Sequence, residues 1–155
     1  MLNTIIEVVR WACVSVGFFF AFSHQGNPVA QFGILCPFLV IPLAGLTGIE
    51  SVFFARTAGI QSGYGQGGAY QRQSGLNNIA TALTVVLVYW LGWGLYAQAA
   101  VMTTMLTFMT LSAANHAWSA IREGNRSIKN LMRPLMTAVL LIFALPFMVR
   151  ALAAG

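Results

Sequence analysis

Charge is what this chain lacks most. Only 7% of its 155 residues are charged while 58% are hydrophobic, against roughly 25% charged in an ordinary soluble domain. Too few polar side chains remain to cover a water-exposed surface. A soluble protein is therefore excluded, and an integral membrane protein is expected. Acids are scarcest: three glutamates stand against eight lysines and arginines, for a net charge of +5. Those bases are scattered along apolar runs, so nucleic acid is not an expected partner, and they read instead as markers of topology. The two cysteines, Cys13 and Cys36, sit inside apolar runs with no CxxC and no histidine beside them. That spacing argues against a disulfide framework and against a zinc site. The two histidines, His24 and His116, fall at opposite ends of their expected helices, about 20 Å apart in depth. One haem cannot take both, and no metal or other cofactor is expected. No GxSxG, HExxH or GK[ST] signature occurs, and no glutamate falls near the middle of a span, where a proton relay would need it. No catalytic residue is assigned.

What the chain has in quantity is long apolar stretches. A helix crossing the hydrocarbon needs about 20 mostly apolar residues, and five stretches qualify: 4–23, 29–54, 76–95, 99–119 and 131–153. The expected fold is an all-α transmembrane helical bundle forming a single domain, with five spans, or four if the first stretch does not cross. The opening "MLNTIIEVVRWACVSVGFFFAFSHQG" lacks the basic start and the small-x-small site of a signal peptide, and reads as a retained first helix. Within it Glu7 and Arg10 are three apart, share a face and can pair. The second stretch holds Pro37 and Pro42, with Gly45 and Gly48 beyond, so kinks are expected. The short link "GWGLYAQ" makes the third and fourth spans an antiparallel hairpin, with Trp90, Trp93 and Tyr96 at one interface. With five spans, seven of the eight basic residues fall on one side: Arg10, Arg56, Arg72, Arg122, Arg126, Lys129 and Arg133, leaving Arg150 alone. That side is assigned to the cytoplasm of a prokaryotic cell, with the N-terminus inside and the C-terminus outside.

The glycine-rich loop between the second and third spans, "GIQSGYGQGGAYQRQSGLNNI", has no strand before it and no lysine in it. A phosphate loop needs both, so it reads as a turn-rich connector on the cytoplasmic side. Tyr64 and Tyr70 could fasten it to the headgroups. Polar residues within spans are few, and they gather at one depth: Glu50, then Asn77 and Asn78, then Asn115 and His116, with Arg72 nearby. Buried polar groups in membranes are costly and mark function or interhelical hydrogen bonding. These six residues are the candidate ligand-binding cluster, and Asn77, Asn78 or Glu50 is the expected partner of the His116 ring. Ala80, Ala82 and Gly92 on the third span would allow close helix approach, and homo-oligomers or other membrane subunits are the expected partners besides the lipid bilayer.

Two pieces of text carry a resemblance. "YQRQSGLNNIATAL" at 70–83 and "ANHAWSAIREGNRSIKN" at 114–130 resemble an uncharacterised family of small prokaryotic polytopic membrane proteins, a domain of unknown function. Tyr70, Gln71, Gly75, Asn77, His116, Gly124, Asn125 and Asn130 take the pattern's places, and Gln73 replaces its Glu. The resemblance implies a membrane bundle, draws attention to His116 and implies no activity. "RQSGLNNIAT", with Arg72 and Asn77, more weakly resembles the membrane-associated eicosanoid and glutathione metabolism proteins, though their Glu is missing and the Arg–Asn spacing is one residue longer. Three functions follow as expectations. The first is a non-enzymatic oligomeric or accessory subunit of a membrane complex. The alternatives are a small-ligand binding or carrier protein using the cytoplasmic-side polar cluster, and a glutathione-using membrane enzyme.

Overall fold

The structure, a computed structural model, describes residues 2–61, 63 and 68–155. Tyr64 lies outside the described residues, as does much of the glycine-rich loop around it. The described residues form six helices and no strand: α1 (Leu2–Ser23), α2 (Pro28–Phe53), the short α3 (Ala55–Gln61), α4 (Ala69–Trp90), α5 (Leu95–Arg122) and α6 (Ile128–Ala154). Of these, α1, α2, α5 and α6 are each long and apolar enough to cross a membrane.

Helix α2 starts on a strong local signal. The Asn27 side chain accepts a hydrogen bond from the Ala30 backbone N–H at 3.0 Å, and Pro28 takes the first helical position. There its missing N–H costs nothing. Further along, the prolines do not break the helix. The backbone widens into a π-helical segment at Ile41–Leu46, which contains Pro42, and then resumes α-helical geometry at Thr47. Such widened turns absorb an interrupted hydrogen-bond ladder. Helix α2 is also the centre of the bundle: half of its apolar window is buried, against 22–33% for the other three apolar helices. Phe32, Leu35 and Leu39 on α2 meet Met102 and Leu106 of α5 and Leu140 and Ala144 of α6 in the core. Gly17 of α1 lies against Phe38 so closely that no side chain would fit. Phe18 and Phe22 of α1 meet the Phe147 ring of α6 at 5.9 and 5.3 Å.

Helix α4 is 22 residues long, about 33 Å at 1.5 Å per residue. It is less apolar than the others because it opens with "AYQRQSGLNN". Its packing nevertheless shows how far it runs. Gly75 lies on Gly48 and Ser51, Ala82 lies on Gly45, and the Tyr89 hydroxyl donates to the Gly33 carbonyl at 2.5 Å. From Gly75 to Tyr89 the contact climbs fourteen positions along α4 while it descends fifteen along α2, from Gly48 to Gly33. The two helices are therefore antiparallel over much of α2. The bundle thus has five long helices, of which four are long and apolar enough to cross a membrane, the number of the four-span alternative. The α4 boundaries differ from the apolar stretch at 76–95: the helix begins in the polar text and stops at Trp90. The chain then turns through Gly92 and Gly94, with φ of +65° and +83°, backbone conformations that favour glycine, and enters α5 as the expected hairpin. Ala82 is used for packing inside the chain, while Ala80 and Gly92 are exposed.

Candidate ligand site between α4 and α5

The charged residues converge at one end of the bundle. Glu50 follows the π-helical segment of α2 and is only 4% exposed, and Arg10 of α1 is 2% exposed. The Arg10 guanidinium donates to the Glu50 carboxylate at 3.2 Å and also pairs with Glu7 on its own helix, as the sequence spacing anticipated. Trp11 steadies Glu7 through its indole N–H at 3.2 Å. From α6 the Lys129 ammonium lies 3.7 Å from the other Glu50 oxygen. A charge taken out of water this far is tolerable only when paired, and Glu50 is held from two sides. One nitrogen of the group is left over: the buried Arg10 Nε has no partner among the described residues.

Arg133 lies one helical turn beyond Lys129. It is within electrostatic reach of Arg10, Glu7 and Glu50, yet among the described residues it makes no hydrogen bond and no ion pair. Three cations here face two carboxylates. Arg133 is the cation whose charge is least answered.

A cavity of about 490 Å³ opens beside this cluster. Helix α4 lines it with Tyr70, Gln71, Ser74 and Asn78, and α5 faces these across the gap from Met105 to His116. Lys129, Arg133 and Thr137, spaced four apart on α6, form a third wall, while Leu43, Ala44, Thr47 and Glu50 of α2 form the fourth. The α4–α5 hairpin is therefore closed at its turn and separated by the cavity at the other end.

Four of the six candidate residues are brought together here: Glu50, Asn78, Asn115 and His116 all line the cavity. Arg72 and Asn77 do not border it, and both are exposed. Successive helical residues point about 100° apart, so Asn77 and Asn78 cannot share a face, and depth alone did not separate them. His116 is half-buried and lies against protein. Its ring bonds to the Asn130 side chain at 2.7 Å, not to Asn77, Asn78 or Glu50. Asn130 is fully buried, and its amide donates to the His116 carbonyl at 3.0 Å and to the Asn125 carbonyl at 2.7 Å. Gly124, at φ +68°, lets the chain reverse so that Asn125 can reach this position. Asn130 thus fastens the end of α5, the connector and α6 together and fixes the His116 ring at the cavity wall.

Arg10, Lys129, Arg133 and Asn130 were missing from the candidate cluster. The spacing of Lys129, Arg133 and Thr137 was the available signal, since positions four apart share one face. Of the residues that carried the resemblance, His116, Gly124, Asn125 and Asn130 form this one network, while Tyr70 and Gln71 line the cavity and Gly75 lies in the α2–α4 contact. No curated protein and no solved structure matches the chain. A family of unknown function, DUF6790, matches residues 7–154, nearly its whole length, and the protein belongs to that family.

Proposed function

We propose that the protein binds a small, negatively charged molecule in the cavity between α4 and α5, as a binding or carrier protein rather than an enzyme. The observation that carries this reading is Arg133, a cation in the cavity wall with no partner among the described residues. A cation half-buried in a cavity wall favours an anion beside it. The volume lies in the range of small-molecule sites, roughly 300–1,000 Å³. Lys129, Asn115, His116 and Asn78 offer further polar contacts around the same space. Seven of the eight basic residues lie toward this end of the bundle, which supports a site opening to the cytoplasm of a cytoplasmic-membrane protein, with the N-terminus inside and Gly155 outside. Thermal unfolding of the purified protein against a panel of small anions and their neutral analogues tests the reading. Anions should raise the midpoint in the native protein and fail to do so in Arg133→Met. An equal response in both proteins, or to the neutral analogues, overturns it.

A second reading, an oligomeric or accessory subunit, is supported by Arg72 and Asn77. Both are exposed on α4, and an outward-facing Asn on a membrane helix suits a hydrogen bond to another helix. Mass measurement in mild detergent tests it, and a monodisperse monomer speaks against it. The glutathione-using alternative rested on the same two residues, which stand apart from the cavity.

A further inference from the structure

The cavity is graded along the bundle axis, and three of its walls agree on the direction. On α6 the lining runs from Lys129 and Arg133 to Thr137. On α2 it runs from Glu50 and Ser51 through Thr47 to Ala44 and Leu43. On α5 it runs from His116 and Asn115 through Ser112 to Met109, Phe108 and Met105. The α4 wall, polar throughout, stops at Asn78, close to the level of Thr47, because its neighbour Ile79 touches Gly48. Charge therefore sits at one end and apolar side chains alone at the other. The α5 wall runs over twelve residues, Met105 to His116, about 16 Å. A compact soluble anion would occupy only the charged end and leave the Leu43–Met105–Met109 end empty. Tyr70 and Phe108, on facing walls, are both exposed, so the space opens between α4 and α5 rather than being sealed.

We infer that the ligand is a single-chain amphiphile with an anionic head, the head at Arg133 and Lys129 and the chain along Met109 and Met105 toward Leu43. This rests on the anion-binding reading above and names the ligand class for the same site. A volume of 490 Å³ accommodates one drug-sized molecule, which favours one chain over the two of a bilayer phospholipid. Carboxylate and phosphate heads satisfy the same two cations, and the experiment separates them.

The test is native mass spectrometry of the full chain released from a neutral detergent, titrated with acetate, octanoate, dodecanoate, inorganic phosphate, dodecyl phosphate and dodecanol. Comparing native protein with Arg133→Met cancels partition into micelles, and Arg133→Lys controls for folding by keeping the charge. Affinity should rise about fourfold per buried methylene through the carboxylate series. Arg133→Met should weaken dodecanoate or dodecyl phosphate about tenfold and leave dodecanol unchanged, while Arg133→Lys retains most of the binding. Preference for one acid identifies the head and supports the inference either way. If acetate or inorganic phosphate binds as tightly as the long-chain acids, the amphiphile is wrong and the anion site stands. If dodecanol matches the acids, or nothing binds, both fall.

Discussion

Helix α4 meets α2 and α5 in opposite ways. Against α2 it presents a bare backbone. A Cβ placed on Gly48 would stand 2.6–2.9 Å from Ile79 and the Gly75 carbonyl, and one on Gly75 would stand 2.8–3.0 Å from Ser51, Val52 and the Gly48 carbonyl. Against α5 it presents Tyr70, Gln71, Ser74 and Asn78 to an open cavity. A single residue separates the regimes: Ser74 faces the gap and Gly75 the seam. In lipid there is no hydrophobic pressure to draw two helices together, since acyl chains are as apolar as leucine. A seam closes where side chains are missing and van der Waals contact becomes dense. A gap persists where the facing side chains are too short or too polar to fill it.

The largest effect is expected where the gap is walled by charge. Glu50→Ala leaves Arg10 buried without its carboxylate partner on α2, and removing one member of a buried pair costs about 3–5 kcal/mol. The double change Arg10→Met with Glu50→Met should recover most of that loss, because the charges that lose a partner, Lys129 and Glu7, are part-exposed to water. Unfolding midpoints in mild detergent measure both. A double variant as unstable as the single would show that the loss is not electrostatic. Next comes the seam. Gly48→Ala forces a methyl group into backbone atoms that cannot swing aside, and overpacking of this kind costs about 1–3 kcal/mol. An unchanged midpoint would mean that α2 and α4 are farther apart than described.

A comparable but smaller loss is expected at Asn130. Replacement by alanine removes the two amide donations, to the His116 and Asn125 carbonyls, together with the bond to the His116 ring, and each lost hydrogen bond costs about 0.5–1.5 kcal/mol. Some of this is returned, because the end of α5 and the connector lie close enough to water to rehydrate. Ligand binding should weaken alongside, since the His116 ring loses the bond that orients it. Asn130→Asp keeps an acceptor for the ring and loses the two donations, so it separates ring orientation from backbone satisfaction.

These contrasts also mark what the sequence could express. Apolar length located the helices, and depth along them was enough to bring Glu50, Asn78, Asn115 and His116 to one level. Depth is a one-dimensional quantity, however. It could not say that Asn78 turns inward while Asn77 turns out, because that depends on which face α4 offers to α2, and the determinant is the absence of side chains at Gly48 and Gly75. Gly48 read as a kink signal beside the prolines, and Gly75 as part of the glycine-rich connector. Lys129 and Arg133 were read as topology markers, because a basic residue near a helix end is explained by the cytoplasmic surface before their shared face with Thr137 is considered. Asn130 was visible in the resemblance but had no partner until the turn at Gly124 folded it back beneath His116. The π-helical segment had its cause in Pro42, yet a proline signals an interrupted ladder without saying whether the helix bends or widens.

The smallest effect tests the comparison most directly. Ser74→Leu adds more bulk than Gly75→Ala, one residue away on the same helix. If side-chain volume alone mattered, leucine would be the worse change. The cavity of about 490 Å³ in front of Ser74 has room for it, and substitutions that disturb no packing stay within about 0.5 kcal/mol. The seam behind Gly75 has no room even for a methyl, which should cost about 1–3 kcal/mol. Ser74→Leu should therefore leave the unfolding midpoint nearly unchanged while obstructing ligand entry, and Gly75→Ala should lower the midpoint without adding anything to the cavity. Equal destabilisation by the two would mean that α4 and α5 are in contact at Ser74, and with that the gap, the graded cavity and the ligand drawn from it would all be lost.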